Sequence, residues 1–290
     1  MTVNPSGSKE AVRIVTDTTA SLLPEQVAAH QLEVVPQVII FGEESFLESV
    51  ELSTEEFIRR LKSSPELPKT AAPPPGEFVK AYERQLARAQ TVISIHPSAD
   101  VSGTVRSAQT AKEDAFPEAD IRIIDTRTVG GCLGAMALVA AEWAESGVGP
   151  DEIVRRVEAM IPRARTYFLI RTLEYLQKGG RIGGAAALMG SVLQIKPILE
   201  IRGGRVEVLE KVRSQQRARE RLMELVAEQC PRSGEGRLCV MHADAITDGL
   251  QLVADLRSTL GLESVPPLLD VGAAITTHGG PGILGVGFFV

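Results

Sequence analysis

Short apolar runs alternate with amphipathic segments through the first half of the chain. Residues 12–16, 91–95 and 121–124 are aliphatic and β-branched runs bounded by polar loops, so each is predicted to be a buried strand. Apolar positions at helical spacing predict helices at 24–30, 53–64, 77–88, 105–115, 130–146 and 150–163. Strands that alternate with helices in this way favour an α/β fold with a doubly wound, mainly parallel sheet.

Local turn signals refine this pattern. The β-rich segment 32–41, the turn GEES and residues 46–52 predict a hairpin, and Ser53 with Glu56 forms a capping box that begins the next helix. The stretch KTAAPPPG at 69–76 is predicted to be a stiff irregular loop, because three consecutive prolines lack backbone N–H donors.

The pattern changes after residue 163. A strand at 167–170 precedes a Gly-rich stretch, in which residues 185–193 predict a compact helix with one largely apolar face. Gly203 and Gly204 predict a hairpin between two strands, and Pro197 indicates an edge or a bulge in the first of them. Further helices are predicted at 215–229 and 247–260, and further strands at 238–242 and 268–271. The predicted organisation is a flexible tail at 1–10, an N-terminal α/β domain at 11–163 and a C-terminal α+β domain at 164–290.

Composition narrows the class of protein. With 44% hydrophobic and 23% charged residues, the 290-residue chain is typical of a soluble globular protein, and its net charge of -6 argues against a general nucleic-acid partner. No run approaches about 18 apolar residues and no signal peptide is recognisable, so no integral membrane segment is expected. Cys132, Cys230 and Cys239 form no disulfide or metal-binding pattern, which favours reduced thiols, a cytoplasmic location and no metal site.

Polar loops follow the predicted parallel strands at the end where such sheets bind ligands. Ser102 and Gly103 lie where one of these loops enters a helix, so a hydroxyl and free backbone N–H groups can bind a carboxylate or a phosphate there. The alternative is that Ser102 only caps its helix. Thr70, in the Pro-rich loop, is a weaker candidate of the same kind.

His278 lies in the Gly-rich segment THGGPG, predicted to be a turn that leaves room around its ring. It can donate to an anion or shuttle a proton, and a purely structural histidine is the alternative. His96, Asp17 and Asp125 follow predicted strands and are expected to shape or brace loops.

Five segments in order resemble the DegV family, bacterial fatty-acid-binding proteins. They span residues 14–288 and read IVTDTTASLLPE, LPKTAAPPPGEF, ISIHPSADVSGTVRSA, YLQKGGRIGGAAALMGSVLQIKPIL with KVR, and THGGPGILGVGF. The resemblance implies a protein that holds one long-chain fatty acid between two domains without a cofactor. It also implies that the carboxylate is presented to a separate fatty acid kinase, in support of phospholipid metabolism, and that the protein catalyses nothing alone.

The resemblance assigns roles residue by residue. Thr70 and Ser102 match the family residues that hold the carboxylate, His278 matches a nearby histidine, and Arg181 matches an exposed arginine implicated in docking the kinase. The chain departs from the family pattern where Ala71 and Ala99 replace serines, and this leaves the two principal carboxylate ligands, Thr70 and Ser102, in place.

A bound acyl chain needs an apolar tunnel. Burial contributes about 0.8 kcal/mol per CH₂, on the order of 10 kcal/mol gross for a long chain, against roughly 1.5 to 3 kcal/mol for each hydrogen bond to the carboxylate. The tunnel is predicted to be lined partly by Leu188, Met189, Val192 and Leu193.

Two other functions remain open on the residues alone. In one, Ser102 and His278 form the nucleophile and base of an acyl hydrolase or acyltransferase, although the chain has no GxSxG motif. In the other, the chain is an interaction protein whose docking surface includes Arg181.

Overall fold

A computed structural model describes residues 10–189, 195–232 and 234–290 of the chain. The strands in these ranges are β1 (Glu10–Asp17), β2 (Glu33–Val35), β3 (Val38–Phe41), β4 (Glu44–Leu47), β5 (Lys69–Ala71), β6 (Ala89–His96), β7 (Asp120–Asp125), β8 (Ala164–Leu169), β9 (Lys196–Arg202), β10 (Arg205–Val212), β11 (Cys239–His242), β12 (Leu268–Asp270) and β13 (Leu284–Phe289). The α-helices are α1 (Pro24–Ala29), α2 (Thr54–Ser63), α3 (Pro75–Leu86), α4 (Thr104–Ala115), α5 (Gly131–Glu145), α6 (Pro150–Met160), α7 (Glu174–Lys178), α8 (Gln215–Gln229), α9 (Ile246–Leu260) and α10 (Gly272–Gly279). None of the described helices is long and apolar enough to cross a membrane.

The first sheet is wholly parallel, with strand order β2-β1-β6-β7. Successive residues of β1 point to opposite faces, so Ile14 packs in a core cluster with α5 and α6, whereas Val15 packs with α3 and α4. The aliphatic run that predicts this strand is therefore buried on both sides. The prediction of a doubly wound parallel sheet is confirmed.

A six-stranded sheet in the order β10-β9-β8-β13-β11-β12 forms the second half. Its pairs are antiparallel except β11 with β12. Helices α8 and α9 cover one face, where Leu222 and Leu252 pack in one core cluster with Phe288 of β13. The hairpin around Gly203 and Gly204 is confirmed. The edge position expected for Pro197 is wrong, because β9 lies between β10 and β8. The pairing of β9 with β8 begins at Ile198, one residue after the proline, so Pro197 removes no hydrogen bond from it. The bulge in the hairpin lies on β10, between Val208 and Glu210.

A small antiparallel sheet in the order β4-β3-β5 contradicts the irregular loop predicted at 69–76. Lys69–Ala71 pairs with β3, and the prolines lie just beyond this strand, so they remove none of its hydrogen bonds. Pro75 is the first residue of α3, where a missing N–H has no intrahelical partner to lose. The predicted hairpin of β3 with β4 and the Ser53 cap of α2 are both confirmed.

The helix predicted at 185–193 is replaced, in the described residues, by a 3₁₀ segment at Gly183–Leu188. Gly183 has a φ of +51°, and a Cβ atom there would overlap the carbonyl oxygen of Val206 on β10. The chain is therefore held too close to the sheet for a wider α-helix to begin at this point. Residues 190–194 lie outside the described residues.

The sheets divide near residue 163, as the sequence predicts, but the packing crosses that point. Ala273 and Ala274 of α10 pack with Ile39 and Phe57 of the first half, and Phe289 packs in the core of the parallel sheet. The domain boundaries therefore stay a prediction. Glu10 already belongs to β1, so the tail predicted at 1–10 is too long by that residue, and 1–9 lie outside the described residues.

Candidate ligand-binding site

A cavity of about 140 Å³ lies where residues before and after residue 163 face each other. Most of its lining is apolar, and the apolar members include Val101, Phe168, Leu176, Ile201, Val206, Met241, Val271, Ile275 and Ile283. The polar members with side-chain donors or acceptors are Thr19, Gln37, Thr70, Ser102, Thr166, Arg181 and His278. A mostly apolar cavity with a few convergent polar groups is the usual form of a small-molecule site.

Thr70 and His278 meet directly in this cavity. Thr70 is held by the pairing of β5 with Ile39 of β3, and its Oγ1 lies 2.7 Å from His278 Nε2. His278 occupies the last turn of α10 rather than the Gly-rich turn that the sequence predicts, and the turn follows it. The two segments that carry these residues are 208 positions apart, so the contact depends on α10 packing against the small sheet.

A buried acid fixes the other end of that helix. Glu48 Oε1 accepts a hydrogen bond from Ala274 N at 2.8 Å, and Oε2 accepts one from the Thr18 hydroxyl. Desolvation raises the pKa of Glu48, while these hydrogen bonds favour its charged form. The carboxylate lies in the first turn of α10, where the helix dipole favours a negative charge. Glu48 therefore positions the helix that carries His278.

The ring of His278 is neutral at physiological pH. Desolvation, with a smaller contribution from the positive charge of Arg181, lowers the pKa of His278 to about 4. Its Nδ1 is buried without a hydrogen-bond partner among the described residues and packs against Gly179, where a Cβ atom would overlap it. The His278 ring can therefore occupy this place only because residue 179 is a glycine.

Ser102 and Gly103, at the start of α4, line the same cavity. Gly103 is the N-cap residue, so the reading of Ser102 as the helix cap is wrong. Ser102 Oγ instead lies 2.7 Å from Thr104 Oγ1 and 3.3 Å from Thr104 N. Its hydroxyl is thus held at the cavity wall by the first residue of the helix.

A buried hydrogen-bond network supports Thr104 from below. Gln37 Nε2 donates to Thr104 Oγ1 at 3.0 Å and to Asp17 Oδ1 at 2.9 Å. Asp17 Oδ2 lies 2.8 Å from His96 Nδ1, and His96 Nε2 lies 2.6 Å from Ser94 Oγ. All five residues are buried. Asp17 and His96 therefore brace the loops as predicted, but through a network that orients the hydroxyls of the site.

Sequence reasoning missed Gln37 and Ser94 in this network. Gln37 is a single polar residue beside a strand with no motif around it, and Ser94 lies in the segment ISIHPSADVSGTVRSA without a local signal of its own. The network joins positions up to 79 residues apart. Tyr82 closes the network by donating its hydroxyl to Ser94 Oγ at 2.9 Å. Asp125 has the loop-bracing role that was predicted, since its carboxylate accepts from Arg127 N at 2.9 Å.

Arg181 lines the cavity and is half-buried, whereas the sequence resemblance implies an exposed arginine. Its Nε donates to Val101 O at 3.0 Å and its Nη1 donates to Gly179 O at 2.7 Å. Burial lowers the pKa of Arg181, but a guanidinium stays charged at any physiological pH. Arg181 is the one cationic side chain among the described residues of the lining.

The residues predicted to line a tunnel do not do so where they are described. Leu188 is buried and Met189 is 42% exposed, and neither belongs to the cavity lining. The 3₁₀ segment ends at Leu188, and the backbone of Met189 is extended. Val192 and Leu193 lie outside the described residues. Apolar residues of the sheet, such as Phe168, line the cavity instead.

The described residues contain no group of three or more His, Cys, Asp or Glu side chains that could hold a metal ion. Cys132, Cys230 and Cys239 are buried and free. Burial raises the pKa of Cys132 and of Cys230 to about 11 and raises that of Cys239 further, so none of these thiols is poised to act as a nucleophile.

Comparison with known proteins gives consistent matches over the whole fold. The DegV family model, which describes uncharacterised proteins, matches residues 11–290. A DegV domain-containing protein of Deinococcus radiodurans is 36% identical over 278 residues, which cover 95% of this chain and 97% of the relative.

Solved structures agree. A DegV family protein of Thermus thermophilus described by its fatty acid binding is 29% identical with a TM-score of 0.85, over 96% of this chain and 99% of that chain. DegV of Bacillus subtilis, a fatty acid binding protein, is 33% identical with a TM-score of 0.85, over 97% of this chain and 100% of that chain. The resemblance carried by the five sequence segments is therefore confirmed, and the chain belongs to the DegV family.

Proposed function

We propose that this protein binds one long-chain fatty acid in the cavity between its two halves and presents the carboxylate to a separate fatty acid kinase in the cytoplasm. The observation that carries the proposal is the cluster of Thr70, Ser102 and His278 in the wall of an otherwise apolar cavity. Fatty acid binding by the similar structures from Thermus thermophilus and Bacillus subtilis supports it.

The polar cluster suits a carboxylate. The hydroxyls of Thr70 and Ser102 can each donate one hydrogen bond, and Gly103 brings backbone of the α4 N-terminus to the same wall. Neutral His278 with its proton on Nε2 can donate to Thr70 Oγ1, which leaves the Thr70 proton free for the carboxylate. Arg181 supplies a positive charge to the lining. Hydrogen bonds to a charged group contribute roughly 1.5 to 3 kcal/mol each. In this proposal the hydroxyls of Thr70 and Ser102 fix the orientation of the carboxylate, and no strong ion pair is needed to hold it.

The apolar lining suits an acyl tail. At about 0.8 kcal/mol per buried CH₂, the tail supplies most of the binding free energy, offset in part by the entropy lost on ordering it. Affinity then depends on the tail, whereas the position of the carboxylate depends on the hydroxyls. This arrangement presents the carboxylate to a second protein without modifying it.

Arg181 connects the head group with the docking surface in this proposal. It bridges the Val101 loop and Gly179 through two backbone carbonyls and remains partly exposed. A kinase that reaches the carboxylate would contact this bridge. Arg181→Ala is expected to leave a fatty acid bound but to lower its phosphorylation by the kinase.

The acyl hydrolase alternative requires a different geometry. In a triad, the histidine contacts the serine and its second nitrogen contacts an acid. Here His278 Nε2 contacts Thr70, and no described residue hydrogen bonds to its Nδ1. Ser102 instead contacts Thr104. The binding function is therefore better supported than catalysis.

Mass spectrometry of the freshly purified protein tests the proposal. One fatty acid per chain is expected, and the double variant Thr70→Ala with Ser102→Ala should weaken its retention at least about a hundredfold, since each of the two lost hydrogen bonds to the carboxylate costs about 1.5 kcal/mol or more. The matched control is Ser258→Ala with Thr259→Ala, which removes the same two hydroxyl types from exposed positions of α9. A wild-type protein that neither carries nor takes up fatty acids would refute the function.

A further inference from the structure

A single methionine closes one side of the cavity. Met241 of β11 belongs to the lining, and its Sδ accepts a hydrogen bond from Gly131 N at 3.1 Å. A Cβ atom built on Gly130 would lie 2.8 Å from this sulfur, and one built on Gly285 would lie 3.6 Å from the Met241 methyl group. The thioether thus fills the space between glycine backbones of the two halves.

A second cavity, of about 240 Å³, lies beyond Gly131. A Cβ atom on Gly131 would overlap Cys239 Sγ, which also lines the second cavity, and would lie 3.3 Å from Leu269 Cδ1 and 3.5 Å from Met241 Sδ. Leu269 lines the second cavity, whereas Met241 lines the first. Beside Gly131, the partition between the two cavities therefore has the Met241 side chain on one side and the side chains of Leu269 and Cys239 on the other.

The second cavity offers an apolar environment. Leu22, Ala135, Leu138 and Leu262 are among its lining residues. Its charged member, Arg237, forms an ion pair with Glu142 at 2.7 Å, and its Gln26 side chain accepts from Leu23 N at 2.9 Å. Because most of the lining is apolar and Arg237 is already paired with Glu142, the space suits the methyl end of a hydrocarbon chain better than a charged group.

We propose that Met241 limits the length of the bound acyl chain, and that the second cavity receives the methyl end of a longer chain once this side chain is shortened. The inference rests on the proposed fatty acid binding. The head group is bound by a different set of residues, since Thr70 contacts His278, which packs against Gly179. A change at Met241 is therefore expected to alter chain length without removing the carboxylate contacts.

Competition among saturated fatty acids of increasing length tests the inference. The full-length protein is incubated with an equimolar mixture, and the bound acids are extracted and quantified by mass spectrometry. Met241→Ala should raise the bound ratio of acids two carbons longer than the wild-type preference about tenfold, because two more methylenes become buried. Met241→Val, which suits a strand, should shift the ratio less in the same direction and serves if the alanine variant fails to fold.

Two further variants make the outcome specific. Met223→Ala makes the same substitution at a half-buried position of α8 outside both cavities, and should leave the profile unchanged. Ala135→Phe, which fills the second cavity, should cancel the gain of Met241→Ala. An unchanged profile in folded Met241 variants, or a gain that survives the addition of Ala135→Phe, overturns the inference. A wild-type protein that binds none of the acids overturns the proposed function, and the role of Met241 with it.

Discussion

Acidification should destabilise the ligand-free protein through His278. An ordinary histidine has a pKa of 6.5, and burial lowers that of His278 to about 4 in the folded protein. The unfolded chain therefore binds more protons between these values, so stability falls as the pH falls through this window and is unaffected above it. At pH 4.5 the histidine of the unfolded chain is almost fully protonated, whereas the buried ring of the folded protein is mostly neutral. The free energy of unfolding is therefore lower than at neutral pH by on the order of 2 to 3 kcal/mol.

Comparison with His278→Gln isolates this effect from other titrating groups. The free energy of unfolding is measured by denaturant titration at pH 7.5 and pH 4.5 for both proteins without ligand. The wild-type protein should lose about 2 to 3 kcal/mol more than the variant, because glutamine does not titrate. Equal losses in the two proteins would refute the reasoning. Added fatty acid should reduce the difference, since a bound carboxylate near the ring favours its charged form.

Two substitutions away from the ligand test how the site is held. Asp17→Asn should lower the free energy of unfolding by on the order of 3 kcal/mol in denaturant titration, because it leaves buried His96 and the amide of Gln37 partly unpaired. The control Asp125→Asn, at the half-buried end of β7, should lower it by less than about 1 kcal/mol. Gly179→Ala should displace His278 and weaken fatty acid retention in mass spectrometry about tenfold, whereas Gly76→Ala, with open space around it, should leave retention unchanged. An Asp17 variant as stable as its control, or a Gly179 variant with wild-type retention, would contradict these assignments.

The periodic parts of the fold could be predicted because local pattern and burial agree. The runs at 91–95 and 121–124 become β6 and β7 since each buries both faces in a parallel sheet. The error at 69–76 arose because the prolines were treated as breaking the whole segment. A missing N–H group destabilises a strand ladder or a helix interior. These prolines lie between β5 and the second residue of α3, where no hydrogen bond of either kind is lost.

The site could be predicted only in part, for a different physical reason. Ser102 and Thr70, which both line the cavity, could be singled out because a hydroxyl beside a helix start or beside a run of prolines has a recognisable local sequence. Gln37 has no such signal, because its role depends on contacts with Asp17 and Thr104 that exist only after the sheet forms. Of the four residues predicted to line a tunnel, Leu188 and Met189 are not part of the cavity lining, because the chain forms a 3₁₀ segment against β10 and not the expected helix. Val192 and Leu193 lie outside the described residues.

The two sides of the cavity are built with different stiffness. Ser102 contacts a buried hydrogen-bond network of Thr104, Gln37 and Asp17. Loss of any one of these hydrogen bonds leaves a buried polar group unpaired and destabilises the folded protein. On the other side, the flexible side chain of Met241 packs against glycine backbone. A substitution there changes the volume of the cavity and removes only the hydrogen bond from Gly131 N to the sulfur, which is a weak acceptor. In the proposed function, the position of the carboxylate and the length of the tail would therefore depend on different residues. The proposed function, in which one head group is presented to one kind of partner, is compatible with different acyl chains because of this separation.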